Sequence, residues 1–180
     1  MKRQTWRDEL VESLQRIESE KDRATLARLR RGVGKPFGTL AERDAWVIRR
    51  TPSTLSDRDL DVACIIASLF ASHSKPGGTG TLGAAFRQLA RQDDSDGPER
   101  RFTTLLNADA EDLPGRLRHA ISLLRSKDIA VDWIQVAKDL FNWSHPDRFV
   151  QRQWARDFWS PQSGENESIS DKAKPSAVSQ

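Results

Sequence analysis

Three histidines, one cysteine and 26 acidic residues are the side chains here that could bind a metal or move a proton. His73, His119 and His145 stand singly, none at ligand spacing from another imidazole or a thiol, which argues against the usual zinc sites. Cys64 lies in the most apolar stretch of the chain, where a thiol is commonly an inert buried group; a dyad with a histidine stays open at this level. Asp94, Asp96 and Gly97 imitate part of a calcium loop, but its first and twelfth ligand positions fall on Gln92 and Thr103. Gly78, Gly80 and Gly83 spell GxGxxG without a preceding strand or a surrounding βαβ unit. Gly34-Lys35 resembles the end of a phosphate loop, yet the required upstream glycine is Leu29 and the following hydroxyl is Pro36. No paired-carboxylate pattern stands out. The expectation is a protein with no catalytic residue, no metal and no cofactor.

Arginine carries the remaining polar chemistry. Between Lys21 and Arg58 ten basic residues outnumber the acids, and RLRRGVGK at 28–35 places Arg28, Arg30, Arg31 and Lys35 within eight residues. A planar guanidinium pairs with a phosphate through two hydrogen bonds, so such a block suits a surface that follows a nucleic-acid backbone. The same charges at a helix C-terminus would also complement its dipole, and helices of a charged protein carry arginine on their wet faces in any case. Further candidates are Arg101, at the head of an apolar run, and Arg118 with Arg125, which share one flank of a helix. Arg87 and Arg91 are weaker candidates, for which surface salt bridges are the plain alternative. Six tryptophans in 180 residues are unusual. They could stack on bases, but Trp133, Trp143, Trp154 and Trp159 sit at helical spacing among apolar neighbours and read first as core.

The elements that position these residues are helices. Apolar residues recur three and four apart and period-2 alternation is almost absent, so the chain reads as all-α, with eight or nine helices in two small packed bundles. Trp6, Leu10, Leu14 and Ile17 stripe a helix over about 4–20. Leu26 and Leu29 continue on a short helix closed by Gly32 and Gly34, and a third spans 39–50 with Leu40, Trp46 and Val47 inward. Ser56 caps a helix from Asp57 to about Ser72, and PGGTGTLG at 76–83 precedes one over 82–92. QDDSDGP at 92–98 reads as a hinge or boundary, followed by four more helices. Pro98, Pro114 and Pro146 stand at first helical positions, and Asp132 caps a helix running through Trp143. The expected organisation is an N-terminal bundle over 1–92, a C-terminal bundle over 98–159 and a disordered tail over 160–180.

Charge and composition fit that division. The chain is 37% hydrophobic, with 29 basic against 26 acidic residues and a net charge of +3. The last residues are poor in apolar side chains and hold Glu165, Glu167 and Asp171 against Lys172 and Lys174, too little hydrophobic surface to offset the entropy of ordering. A single cysteine, a polar N-terminus and no apolar run of about 20 residues point to a cytoplasmic protein without a membrane partner.

Taken together, ARLRRGVGKP at 27–36, GTLGAAFRQLA at 80–90, ERRFTTLLNAD at 99–109, LPGRLRHAISLLRSK at 113–127, DWIQVAKDLFNW at 132–143 and QWARDFW at 153–159 resemble the CasB family. That family is the small subunit of the type I-E Cascade complex of CRISPR systems. The resemblance runs through most of residues 5–159 in order; the tail lies outside it.

The resemblance implies a non-enzymatic helical subunit that forms a homodimer within an RNA-guided surveillance complex. Its partners would be the large subunit, the guide-RNA backbone subunits, CRISPR RNA and target DNA. Basic surfaces would hold the target and displaced strands of the R-loop, through contacts read by charge and not by base edges. Carried onto this sequence, phosphate contact falls first on Arg28, Arg30, Arg31 and Lys35, then on Arg101, Arg118 and Arg125, and last on Arg87 and Arg91. Two alternatives are a helical module that only bridges protein neighbours and a helix-turn-helix regulator; no tight helix pair with a polar, exposed second helix supports the latter.

Overall fold

The structure is a computed structural model that describes residues 5–93 and 95–160. Among them are nine α-helices and no strand: α1 (Trp6–Ser19), α2 (Arg23–Arg30), α3 (Ala41–Ile48), α4 (Asp57–Ser72), α5 (Leu82–Ala90), α6 (Gly97–Leu106), α7 (Leu113–Ser126), α8 (Trp133–Phe141) and α9 (Phe149–Trp159). The all-α expectation holds. The tail expected to be disordered lies, from residue 161 onward, outside the described residues.

Short side-chain caps set the helix starts. Thr5 and Asp8 form a reciprocal capping box on α1, and Asp22, Ser56, Thr81 and Asp132 accept the third amide of α2, α4, α5 and α8. Pro98 and Pro114 occupy the first turn of α6 and α7, where no amide hydrogen is required. Pro146 does not open a helix. The Arg148 amide donates to the His145 carbonyl at 2.9 Å, which puts Pro146 second in a tight turn, a place its fixed φ also suits. Arg148 then takes a left-handed φ of 49° and α9 begins at Phe149. The helix expected to run through Trp143 ends at Phe141, and Trp143 packs from the turn beyond it.

α4 is the central helix, apolar on nearly all sides because it touches α1, α2, α3, α7 and α8. α5 lies against α9, α6 and α7. Two glycines allow the closest approaches. A Cβ on Gly83 would stand 2.1 Å from the Trp154 carbonyl oxygen, and one on Gly78 would stand 2.2 Å from the Val131 carbonyl carbon. The GxGxxG string is therefore a packing device, bringing α5 onto α9 and the loop onto the entry to α8.

Trp133, Trp143 and Trp154 are buried, as their spacing indicates, and each indole N–H has a partner: the His73 carbonyl at 3.0 Å, the Ala108 carbonyl at 3.2 Å and Asp139 at 2.6 Å. Trp159 differs. It is 46% exposed, with its N–H donated to Glu99. In α3 the inward residues are Arg43, Asp44 and Val47, while Trp46 is only half-buried under the Arg50 guanidinium. Arg43 thus leaves the basic surface of 21–58. Its side chain is fully buried, and it donates to the Gly32 carbonyl at 3.1 Å, the Lys35 carbonyl at 2.7 Å, the Pro36 carbonyl at 2.7 Å and the Asp44 carboxylate at 2.6 Å.

Candidate nucleic-acid interface

Leu113, Leu117, Ala120, Ile121 and Leu124 bury one stripe of α7, and the residues between them face two open grooves, one on each side of the helix. The first, about 550 Å³, runs between α6 and α7 and is lined by Arg101, Thr104, Arg116, His119, Ser122 and Ser126 with Ala120 and Leu123. The second, about 210 Å³, lies among α2, α4 and α7 and is lined by Arg30, Ser72, Arg118, Ser122 and Arg125 over Val33, Leu69 and Ile121. Ser122 borders both grooves. No acidic residue lines either.

The arginines of the second groove are oriented by backbone. Arg30 Nε donates to the Ala71 carbonyl at 2.8 Å and Arg125 Nη1 to the Ser72 carbonyl at 3.3 Å, so two guanidinium groups cover the negative end of α4. Each keeps four of its five donors for another acceptor. Arg118 Nη2 lies 3.3 Å from His119 Nε2, a contact that links the two flanks.

A third groove of about 290 Å³, between α5 and α9, holds Arg87, Gln88, Arg91, Arg156, Asp157 and Ser160 with Ala84. Arg87 donates to the Asp157 and Ser160 carbonyls, so it serves α9 as a C-terminal cap and not as half of a salt bridge.

The structure therefore brings together Arg30, Arg118 and Arg125, and beside them Arg101. Arg28, Arg31 and Lys35 are exposed on the end of α2 and the turn after it, and line none of these grooves; Arg28 donates to the Thr25 hydroxyl at 2.9 Å. That turn is braced from inside, because the carbonyls of Gly32, Lys35 and Pro36 all converge on Arg43. Gly32 has no room for a side chain there: a Cβ would lie 2.6 Å from Arg43 Cδ and from Ser68 Oγ. Among the described residues, ion pairs join Arg43 to Asp44, Lys75 to Asp128, Lys138 to Asp8 and His145 to Asp147. None of the nine arginines and lysines singled out in the sequence takes part in one.

Sequence reasoning passed over Arg116 and Arg156, and weighed His119 only as a metal ligand. Arg116 and His119 are three apart and recur with Leu123 and Ser126 on the flank of α7 opposite Arg118 and Arg125, a signal present in RLRHAISLLRS at 116–126.

No group of three or more His, Cys, Asp or Glu side chains could hold a metal ion among the described residues. Cys64 is buried, its thiol pushed up to about 12 by burial, and its polar neighbour is the Asp44 carboxylate at 3.6 Å, not a histidine. Among the described residues no helix is long and apolar enough to cross a membrane.

Fold and surface together define an all-helical protein with arginine-lined grooves and no metal-ligand cluster among the described residues. The sequence model of the CRISPR-associated protein Cse2 family matches residues 25–159, and the chain belongs to that family. The CRISPR-associated protein Cse2 of Thermus thermophilus is 36% identical over 69 residues, a stretch that is 38% of this chain and 39% of that relative. The crystal structure of M. ruber CasB superposes with a TM-score of 0.75 at 30% identity, covering 92% of this chain and 98% of that one. A chain of a CRISPR RNA-guided surveillance complex shares the fold, with a TM-score of 0.72 at 22% identity over 94% of this chain and 98% of its own.

Proposed function

We propose that this chain is the non-catalytic small subunit of a type I-E Cascade. In this reading it forms a homodimer beside the large subunit and the guide-RNA backbone subunits in the cytoplasm, and its basic surface steadies the target and displaced DNA strands of the R-loop. Membership of the Cse2 family and the fold shared with a chain of an RNA-guided surveillance complex support this reading. The observation that carries it is the pair of acid-free, arginine-lined grooves flanking α7. A phosphodiester backbone needs cations and hydrogen-bond donors without competing carboxylates; Ser122 adds a hydroxyl to the arginines, whereas those of Thr104 and Ser126 already donate to the Arg100 and Leu123 carbonyls. Since base pairing with a guide supplies sequence, a subunit that adds uniform backbone attraction tips a nearly balanced strand exchange.

Which residues line the grooves supports an order among the candidates. Arg101, Arg118 and Arg125 lead, with Arg30 beside them; Arg28, Arg31 and Lys35 extend the surface past α2, and Arg87 and Arg91 lie apart in the α5–α9 groove. In the assembled complex, Arg101→Ala with Arg118→Ala is expected to weaken target-DNA binding about equally across sequences. The dependence on log salt should become shallower by roughly one to two units, and helical melting should not change. Undiminished target-DNA affinity in that variant complex would remove α7 from the strand path.

A further inference from the structure

We propose that the end of α3, where Ile48 stands with Arg16, Arg49 and Arg50, docks an acidic surface of a neighbouring protein subunit. Three large apolar side chains stay exposed among the described residues: Ile48, Phe149 and Trp159. Phe149 meets the His145 ring edge-on, and Trp159 packs on Phe102 and Phe158 and donates its N–H to Glu99. Ile48 is the most exposed, at 49%, and does not pack on the core. One exposed apolar residue is ordinary on a protein surface. The charges around this one are not.

Arg50 lies over the Trp46 ring at 4.0 Å and donates to the Trp46 carbonyl at 3.0 Å, a bond that caps the end of α3. Arg49 and Arg16 add charge that the cap does not need: both are exposed, and neither belongs to an ion pair among the described residues. Burial pushes the Arg50 guanidinium below its ordinary value, and the charges of Arg49 and Arg16 push it further. The uncovered patch therefore repels itself, and carboxylates brought against it relieve that repulsion. A second copy of the same surface would set arginine against arginine. A nucleic-acid backbone would answer the charges but not Ile48, and the Trp46 ring, with a guanidinium already on it, offers no platform for a base. A protein surface that sets an apolar side chain among carboxylates answers both. That this neighbour belongs to an RNA-guided assembly rests on the function proposed above.

The test uses the full chain in the assembled complex, without target DNA. Ile48→Ser, and separately Arg16→Gln with Arg49→Gln, should each weaken retention of this subunit on dilution, read by native mass spectrometry, by roughly five- to tenfold. The arginine effect should fade in high salt and the Ile48→Ser effect persist. Arg50 stays, because it caps α3. In the isolated chain the arginine changes should leave the melting temperature level or raised, since they remove repulsion; a fall would make the pair structural and overturn the proposal. Loss of retention in only one variant also overturns it, the arginine pair alone pointing to nucleic acid. Full retention of both overturns the docking surface and leaves the proposed function standing, whereas an unsubstituted chain that never joins the complex overturns the two together.

Discussion

Arg43 shows how a charge inside the protein can shape the charges outside it. Its guanidinium holds the carbonyls of Gly32, Lys35 and Pro36 and pairs with Asp44, while Asp44 also accepts from the amides of Gly38 and Leu40. Arg43→Ala removes the donor from three carbonyls and strands a buried carboxylate, so a loss of about 3–5 kcal/mol is expected from denaturant unfolding. Arg43→Lys should cost less but still measurably, since one ammonium cannot match a planar fork. A loss below about 1 kcal/mol for the alanine variant would show that the turn is held by other means. Cys64, one turn of packing away, gives a second check: its raised thiol should resist alkylation near neutral pH until the protein unfolds, and prompt labelling of the folded chain would contradict its burial. The burial of Cys64 was legible in the sequence, from the apolar stretch around it; the role of Arg43 was not. Arg43 reads there as one more cation of a basic run, because composition cannot distinguish an arginine aimed at solvent from one whose five donors are met by a turn folded over it. Trp133, Trp143 and Trp154 were legible as core, because an apolar stripe has one physical outcome and an arginine has several.

Among the elements, α8 and α9 are joined through a buried carboxylate. Asp139 accepts from the Trp154 indole at 2.6 Å and the Gln135 amide at 2.8 Å, and burial lifts it above its ordinary value of 3.8 despite both hydrogen bonds. The folded chain therefore keeps a proton there that the unfolded chain has already lost. Stability contributed at this position is greatest at low pH, falls as pH rises from the ordinary carboxylate range through the raised folded value, and then stays level. Asp139→Asn should remove that slope, Gln135 turning its amide to meet the new donor, without loss at neutral pH. Asp139→Ala should cost about 1–3 kcal/mol by leaving the Trp154 N–H unpaired in the core. An unchanged pH profile in the asparagine variant, measured by thermal melts from acid to neutral pH, would contradict the linkage. Helix starts were the part of these elements most legible in advance: Ser56 and Asp132 announce α4 and α8, because a short oxygen-bearing side chain before an apolar stripe satisfies otherwise unpaired amides. Pro146 misled, because proline suits the second position of a turn as well as the first of a helix.

At the scale of the whole molecule, the packing argues for one cooperative unit. α1 meets α8 through Trp6 and Phe141, whose ring centroids are 4.9 Å apart, and through the Lys138–Asp8 pair. α4 meets α8 where Phe70 stands edge-on to Trp133 at 5.7 Å, and His73 Nε2 lies 2.6 Å from the Ile129 carbonyl oxygen. α5 rests on α9 where Gly83 leaves no space for a methyl group. Each of these contacts crosses the 92–98 segment that the sequence suggests as a boundary. Separated there, the first part would expose Phe70, Phe86 and Leu89, and the second would lose the His73 carbonyl and Phe70 ring that meet Trp133 and the close approach of Gly83 to the Trp154 backbone. Unfolding in denaturant is therefore expected to give coincident transitions by far-UV circular dichroism and tryptophan fluorescence, and isolated 1–92 and 98–159 should show no cooperative melt of their own. Two resolved transitions, or a fragment that melts sharply alone, would establish separate bundles. The distinction bears on the α7 grooves. One draws Arg30 and the end of α4 from the first part and Arg118 and Arg125 from the second, so in a single cooperative unit these charges are fixed relative to one another, and under the proposed function strand binding would not have to assemble them.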